Sequence, residues 1–225
     1  MAVVDIGAHH GLYSLLASGL VGRRGRVIAF EPSPRECRRL TTHLRVNRCR
    51  NVRVEPCAVA NESGEADFFV VDGYRDWGNS LRPPAIPEPI RRVRVPVRRL
   101  DDMLAECGVE RLDFIKLDAE GAELEVLEGA KKLLQSPPRP ALLVEVQDLR
   151  TRPWGYAARE ITQLLARWNY NWFSITEVGA LCPASADDEV YDANLVALPS
   201  ERMDEFRHLV GRTAGDASWV GVDRA

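Results

Sequence analysis

The chain of 225 residues is 45% hydrophobic and 28% charged, a globular composition that excludes a disordered chain and suffices for one sizeable core. A net charge of −3 gives no global attraction to nucleic acid or to an anionic membrane surface. No uninterrupted apolar run approaches the ~20 residues of a membrane span, so no membrane partner is expected.

In chain order, Ala2–Ile6 reads as a buried strand, followed by Leu12, Leu15, Leu16 and Leu20 at helical spacing. Arg26–Phe30 is the next strand, and its following helix turns Cys37, Leu40 and Leu44 inward with Arg35, Arg38, Arg39 and Arg45 largely outward. Residues 52–59 form a third strand. Strands at 112–117 and 141–146 enclose a helix carrying Leu124, Leu127 and Leu134, and Ile161, Leu164, Leu165 and Trp168 mark another helix. Strand–helix alternation at this pace implies βαβ units and a mostly parallel sheet covered on both faces. Two places break the rhythm. Residues 66–71 and 92–97 look like strands around a proline-rich loop, with no clear helix between Glu65 and Leu100. Strands at 172–176 and 194–198 have too short a connection for a clear crossover helix, so the final strand should run antiparallel. Met203, Phe206 and Val210 suggest a closing helix. We expect one domain over residues 1–212 with a strand and loop insertion at about 65–100, then a tail at 213–225. The five cysteines (Cys37, Cys49, Cys57, Cys107, Cys182) are odd in number and never spaced C-x-x-C. That argues against a disulfide framework or structural zinc and for a reducing compartment. The N-terminal residues lack signal-peptide character, so a cytoplasmic protein is expected.

The first strand ends in Asp5-Ile6-Gly7-Ala8-His9-His10-Gly11 and runs into a helix, and Glu31 closes the second strand. Glycines at such a turn allow close backbone approach to a ligand, and a carboxylate at Glu31 can accept from ribose hydroxyls. A pyrophosphate-binding turn prefers G-x-G-x-x-G, whereas this loop is G-x-x-x-G with Asp5 just before it. That carboxylate opposes a pyrophosphate and suits a cationic ammonium. S-adenosylmethionine carries an ammonium and a sulfonium and no phosphate. A turn that only packs helix on sheet is the bland alternative, and Glu31 weighs against it.

From these residues outward the sequence resembles the FkbM-type methyltransferases. The pattern lies in Val4-Asp5-Ile6-Gly7-Ala8 with Gly11, Val27-Ile28-Ala29-Phe30-Glu31-Pro32, Asn51-Val52, Ala58-Val59, Gly78-Asn79-Ser80-Leu81 and Arg99-Leu100-Asp101-Asp102. Its most specific piece is Asp113-Phe114-Ile115-Lys116-Leu117-Asp118-Ala119-Glu120-Gly121-Ala122-Glu123, continuing through residues 126–130, and residues 192–197 resemble the closing strand. The resemblance implies an α/β, Rossmann-like class I fold with a mostly parallel seven-stranded sheet and an antiparallel last strand. It implies S-adenosylmethionine as cofactor, with Asp5, Gly7, Ala8, Gly11, Glu31, Ser33 and Ala58 as binding residues. It further implies O-methylation of a hydroxyl on a small molecule, natural product or glycan. His9 stands where the family usually has Asn, and His10 replaces a typical apolar residue; both fit backbone-tolerant loop positions as well as a catalytic histidine. The chain also begins at the first strand, without the upstream helices that often help cover such a site. An open site, further residues or a second subunit would each meet this, which leaves a homo-oligomer open.

An alcohol acceptor must be aligned and must lose a proton, which calls for a base within hydrogen-bond reach. Ligands of open α/β sheets lie outside the carboxyl ends of the strands, which gathers Asp5, Glu31, Asp118, Glu120 and Glu145 about one crevice. Asp118 is the first candidate base, with His10 next and Glu120 beside it; Lys116 shares the strand face of Asp118. Capping of the following helix is the alternative for Asp118 and Glu120. Asp118 with Glu145 or Asp148 would suit Mg²⁺, but no spacing supports it and no metal is expected. Arg92, Arg94 and Arg98 share a strand face, either simply solvated or facing a phosphate-bearing acceptor. No module or aromatic stacking signature supports RNA as partner. Residues 73–89 should form a lid, with Asn79 and Ser80 facing the acceptor. Methylation of RNA or nitrogen, and an inactive cofactor-binding interaction subunit, are the competing functions.

Overall fold

The computed structural model describes residues 1–72, 78–84 and 86–211. Eleven strands and eight α-helices are found among them. The first half runs β1 (Ala2–Ile6), α1 (Leu12–Val21), β2 (Arg26–Phe30), α2 (Pro34–Val46), β3 (Val52–Glu55), β4 (Ala58–Val59), β5 (Gly64–Val71) and β6 (Ile90–Arg98). The second half runs α3 (Leu100–Glu106), β7 (Phe114–Leu117), α4 (Glu123–Gly129), α5 (Lys131–Gln135), β8 (Ala141–Gln147), α6 (Asp148–Thr151), α7 (Arg159–Arg167), β9 (Tyr170–Ile175), β10 (Leu181–Pro183), β11 (Asp192–Pro199) and α8 (Met203–Phe206). The expected tail at 213–225 lies outside the described residues.

The main sheet has the order β10-β9-β11-β8-β7-β1-β2-β3. The five strands from β3 to β8 are parallel, while β11 is antiparallel to both β8 and β9. This is the class I methyltransferase order with one strand added: the three-residue β10 pairs with the edge strand β9 inside the short connection to β11. Because β1 lies between β2 and β7, the chain direction of travel across the sheet reverses there, which opens a crevice at the strand ends. The register aligns Ile6 with Phe30 and with Leu117, and Leu117 with Val144. Gly7, Glu31, Asp118 and Glu145 therefore follow one another along a single edge.

Alternate residues of the parallel strands bury on one face, where Val4, Ile6, Phe30, Ile115, Leu117 and Val144 pack with Leu100, Leu127, Ile161 and Leu165 of the helices. The expected third strand is two. Pro56 has no N–H for a ladder, and after it the chain leaves the main sheet so that β4 joins β6 in parallel. With β5 antiparallel to β6, this second sheet builds its own small core of Ala58, Phe68, Val70, Val95 and Val97. The helix expected around Leu124 and Leu134 is likewise divided at Ala130 into α4 and α5.

Helix α1 is turned opposite to its leucine spacing. Ser14 and Ser18 are buried, whereas Leu12, Leu16 and Leu20 are 66%, 58% and 75% exposed. The cause is polar: the Ser14 hydroxyl donates to Asp5 Oδ2 at 2.6 Å, and the Ser18 hydroxyl to Asn51 Oδ1 at 2.5 Å. A buried carboxylate needs such a donor. No helix of the described residues is long and apolar enough to cross a membrane.

Candidate cofactor and acceptor site

The turn after β1 is held by glycine. Gly7 has φ +72°, and a Cβ there would lie 1.8 Å from the Asp118 carbonyl oxygen, so only glycine lets the two strand ends approach. The amides of the turn are consumed within the protein. Gly7 and Ala8 N–H both donate to the Phe30 carbonyl, Gly11 N–H to that of Ala8, and His9 N–H to Glu31 Oε2 at 2.7 Å. Glu31 is buried and also accepts from Ser33 N–H at 2.7 Å, and burial raises its carboxyl to about 7 despite those donors.

A cavity runs along this edge. Phe30, Cys57, Ala58, Val59, Phe68 and Leu81 make an apolar end, and Gly7, His9, Asp118, Ala119 and Glu120 make a polar one, with Glu31 between. Of the residues singled out in the sequence, Gly7, Glu31, Ala58, Asp118 and Glu120 line it. Asp5, Ala8, Gly11 and Ser33 stand behind the wall. Asp5 is buried against Ser14 and Lys116, Gly11 begins α1 at φ 99°, and Ser33 caps α2 through the Glu36 N–H. His10 is exposed; its ring meets those of His9 and His43, and it is His9 that faces the cavity.

Lys116 organises the polar end. Its ammonium lies 3.0 Å from Asp118 Oδ2, 4.0 Å from Asp5 Oδ1 and 3.3 Å from the Gly7 carbonyl. Burial works against that charge, but Asp118 and Asp5 outweigh it and hold the ammonium above its ordinary range. Glu120, in the left-handed region at φ 54°, pairs with Arg150 at 2.9 Å. The 119–121 turn is fastened from below by Glu123, whose Oε1 accepts from Ala119 N–H at 2.8 Å and Gly121 N–H at 3.3 Å. Burial raises Glu123 to about 7, and burial with neighbouring carboxylates raises Glu145. Asp148 gives its two oxygens to Ala158 and Tyr191 N–H, so it does not face the crevice. Among the described residues no group of three or more His, Cys, Asp or Glu is arranged to hold a metal ion.

Part of the expected lid, residues 73–77 and 85, lies outside the described residues. Asn79 lines the cavity and accepts from Val71 N–H, while Ser80 is buried and donates to the Glu120 carbonyl at 2.9 Å. Sequence reasoning passed over Phe68 and the turn-holding role of Glu123. Phe68 belongs to the inserted sheet, whose placement over the cavity has no local signal. Arg92 and Arg94 of β6 pair with Asp67 and Glu65, and Arg98 with Glu106. That face is an exposed ladder of opposite charges.

An open, mostly parallel sheet with this strand order and a cavity at its switch point has the architecture of a class I methyltransferase fold. Residues 5–171 match the methyltransferase FkbM domain, and the chain belongs to that family. It is 28% identical to the AMB antimetabolite synthetase AmbE of Pseudomonas aeruginosa over 75% of this chain and 9% of that one. It is 29% identical to the 2-O-methyltransferase NoeI of Sinorhizobium fredii over 49% of this chain and 50% of that one. The chain thus spans half or less of the length of these two relatives. In fold it is similar to the O-methyltransferase TomG of Streptomyces achromogenes, solved with S-adenosylmethionine, at 17% identity and a TM-score of 0.50 over 88% of this chain and 72% of that one. The family uses S-adenosylmethionine, and the lining of the cavity fits that molecule. The apolar end suits a purine, and Glu120 places a carboxylate at the polar end.

Proposed function

We propose that this protein methylates a hydroxyl oxygen of a small molecule or glycan. The observation that carries the reading is Asp118, a carboxylate on the cavity wall at the end opposite the apolar pocket, held 3.0 Å from a buried lysine. When bound, the cofactor supplies a methyl carbon already activated by its sulfonium. The chain's own residues bind, orient and take a proton. Glu31 accepts from the ribose hydroxyls, and Phe30, Val59, Phe68 and Leu81 exclude water from the base. The Asp118 carboxylate accepts the hydroxyl proton of the acceptor, and Lys116 keeps that carboxylate in one orientation. Relatives named as a 2-O-methyltransferase and as 31-O-demethyl-FK506 methyltransferase support oxygen as the acceptor atom. The test is transfer of labelled methyl from S-adenosylmethionine to hydroxylated acceptors, followed by base treatment. A base-stable methyl ether is expected. Labelled RNA, a methylated amine, or a base-labile ester in place of the ether would overturn the assignment.

A further inference from the structure

We propose that a second cavity, contiguous with the cofactor site, is the acceptor subsite, and that it selects a ring-bodied acceptor carrying an oxyanion, carboxylate or phosphate, which Arg82 holds. The inference rests on the transferase reading above and names the acceptor's chemistry. This cavity, of about 130 Å³, shares Gly78 and Glu120 with the cofactor cavity, so the two adjoin at the turn that follows Asp118. Pro84, Ile86, Leu149 and Trp154 give it an apolar side, and Ser80, Arg82, Glu120 and Arg150 a polar one. The apolar side accepts the body of a compact ring.

The geometry fixes these walls to the catalytic turn. Gly121, at φ 99°, leaves room for Trp154 and the Arg150 carbonyl; a Cβ there would lie 2.5 Å from the indole ring and 2.3 Å from that oxygen. On the other side the Ser80 hydroxyl bridges the Glu120 carbonyl and the Arg82 N–H, at 2.9 and 3.4 Å.

The guanidinium of Arg82 lies over the Trp154 ring, 4.8 Å from its centroid. Among the described residues it has no carboxylate within ion-pair distance, and its side chain makes no hydrogen bond. Its charge reaches Glu125 only through space, where it partly offsets the rise that burial imposes on that carboxyl. The neighbouring arginines of the same inserted segment differ. Arg91, Arg92, Arg94 and Arg98 are each paired with Asp or Glu. A planar guanidinium preorganised on an aromatic face, with its donors unspent, matches a carboxylate or phosphate in a two-pronged hydrogen bond.

The test uses the protein saturated with S-adenosylhomocysteine and titrated calorimetrically with cyclohexanecarboxylate, cyclohexyl phosphate and the neutral cyclohexanecarboxamide. At least one anion should bind about tenfold or more tightly than the amide, the scale of a charge-assisted pair, and which anion is preferred tells carboxylate acceptors from phosphate ones. Arg82→Ala, at an exposed position, should abolish the preference and leave S-adenosylhomocysteine affinity unchanged; Arg82→Lys should restore only part of it. Equal binding of amide and anions, a preference that survives R82A, or no binding of any probe by the S-adenosylhomocysteine complex overturns the subsite. Failure of the parent protein to bind S-adenosylhomocysteine would instead defeat the transferase reading, and this subsite with it.

Discussion

At pH 8, above the raised range of its carboxyl, Glu31→Gln removes one charge at the centre of the proposed cofactor site and almost no volume. In the parent, the carboxylate accepts from His9 and Ser33 N–H at 2.7 Å each while keeping lone pairs for the ribose. A carboxamide has one oxygen, so its NH₂ must meet one of those two amides. That leaves a buried donor unsatisfied, which costs about 1–3 kcal/mol of folding stability. The ribose loses charge-assisted hydrogen bonds worth about 1.5–3 kcal/mol, or roughly 10- to 100-fold in affinity. Its strand-end position alone implies little change in folding on removal, but its burial and two backbone partners require both losses. Calorimetry with S-adenosylhomocysteine measures the first, and denaturant unfolding of the ligand-free protein measures the second. Unchanged affinity with reduced stability would refute the ribose assignment and leave Glu31 as a clamp on the 7–9 turn.

Gly7→Ala should destabilise the protein by about 2 kcal/mol or more and abolish cofactor binding, because left-handed φ strain adds to a Cβ placed 1.8 Å from the Asp118 carbonyl; denaturant unfolding and S-adenosylhomocysteine titration check it. Stability of the ligand-free protein should fall as pH rises from about 5 to 8. Glu31 and Glu123 bind protons more tightly folded, at about 7, than at their ordinary 4.5, so their contribution is complete below 4.5 and is lost as pH climbs through 7. Glu201 acts in the opposite sense: its hydrogen bond from Arg139 holds it near 2, so its contribution is present above 4.5 and fades as pH falls through 2. A stability curve in denaturant that rises between pH 5 and 8 would contradict the burial of the two glutamates.

The five parallel strands were legible because each is a short apolar run ending at a turn or acidic residue, and the strand-end carboxylates Glu31 and Asp118 followed from that placement. The orientation of α1 was not legible. Leucine spacing defines an apolar stripe, but the side facing the sheet is decided by Asp5, whose partner Ser14 lies on the other side of the helix. The same limit separates His9 from His10. Adjacent residues in one loop differ in facing because His9 takes φ 51° as its N–H reaches Glu31, a contact between elements that no local pattern contains. The division of β3 from β4 had a signal in Pro56. As a cavity residue Phe68 had none, because the inserted sheet folds back over strand ends far from it in sequence, whereas Asn79 and Leu81 stood in the family pattern.

The central claim is that Asp118 serves the transfer step at a hydroxyl acceptor, and Asp118→Asn tests it most directly. The substitution keeps shape and removes the carboxylate facing Lys116, which still has Asp5 at 4.0 Å and the Gly7 carbonyl at 3.3 Å, so the fold should persist. With a hydroxylated acceptor, turnover should fall roughly 10²-fold or more, the range for a positioned acid–base group, while S-adenosylhomocysteine affinity stays within a few-fold of the parent. Turnover near the parent value, with binding intact, would contradict the claim and reduce Asp118 to a helix-terminal acid that asparagine replaces.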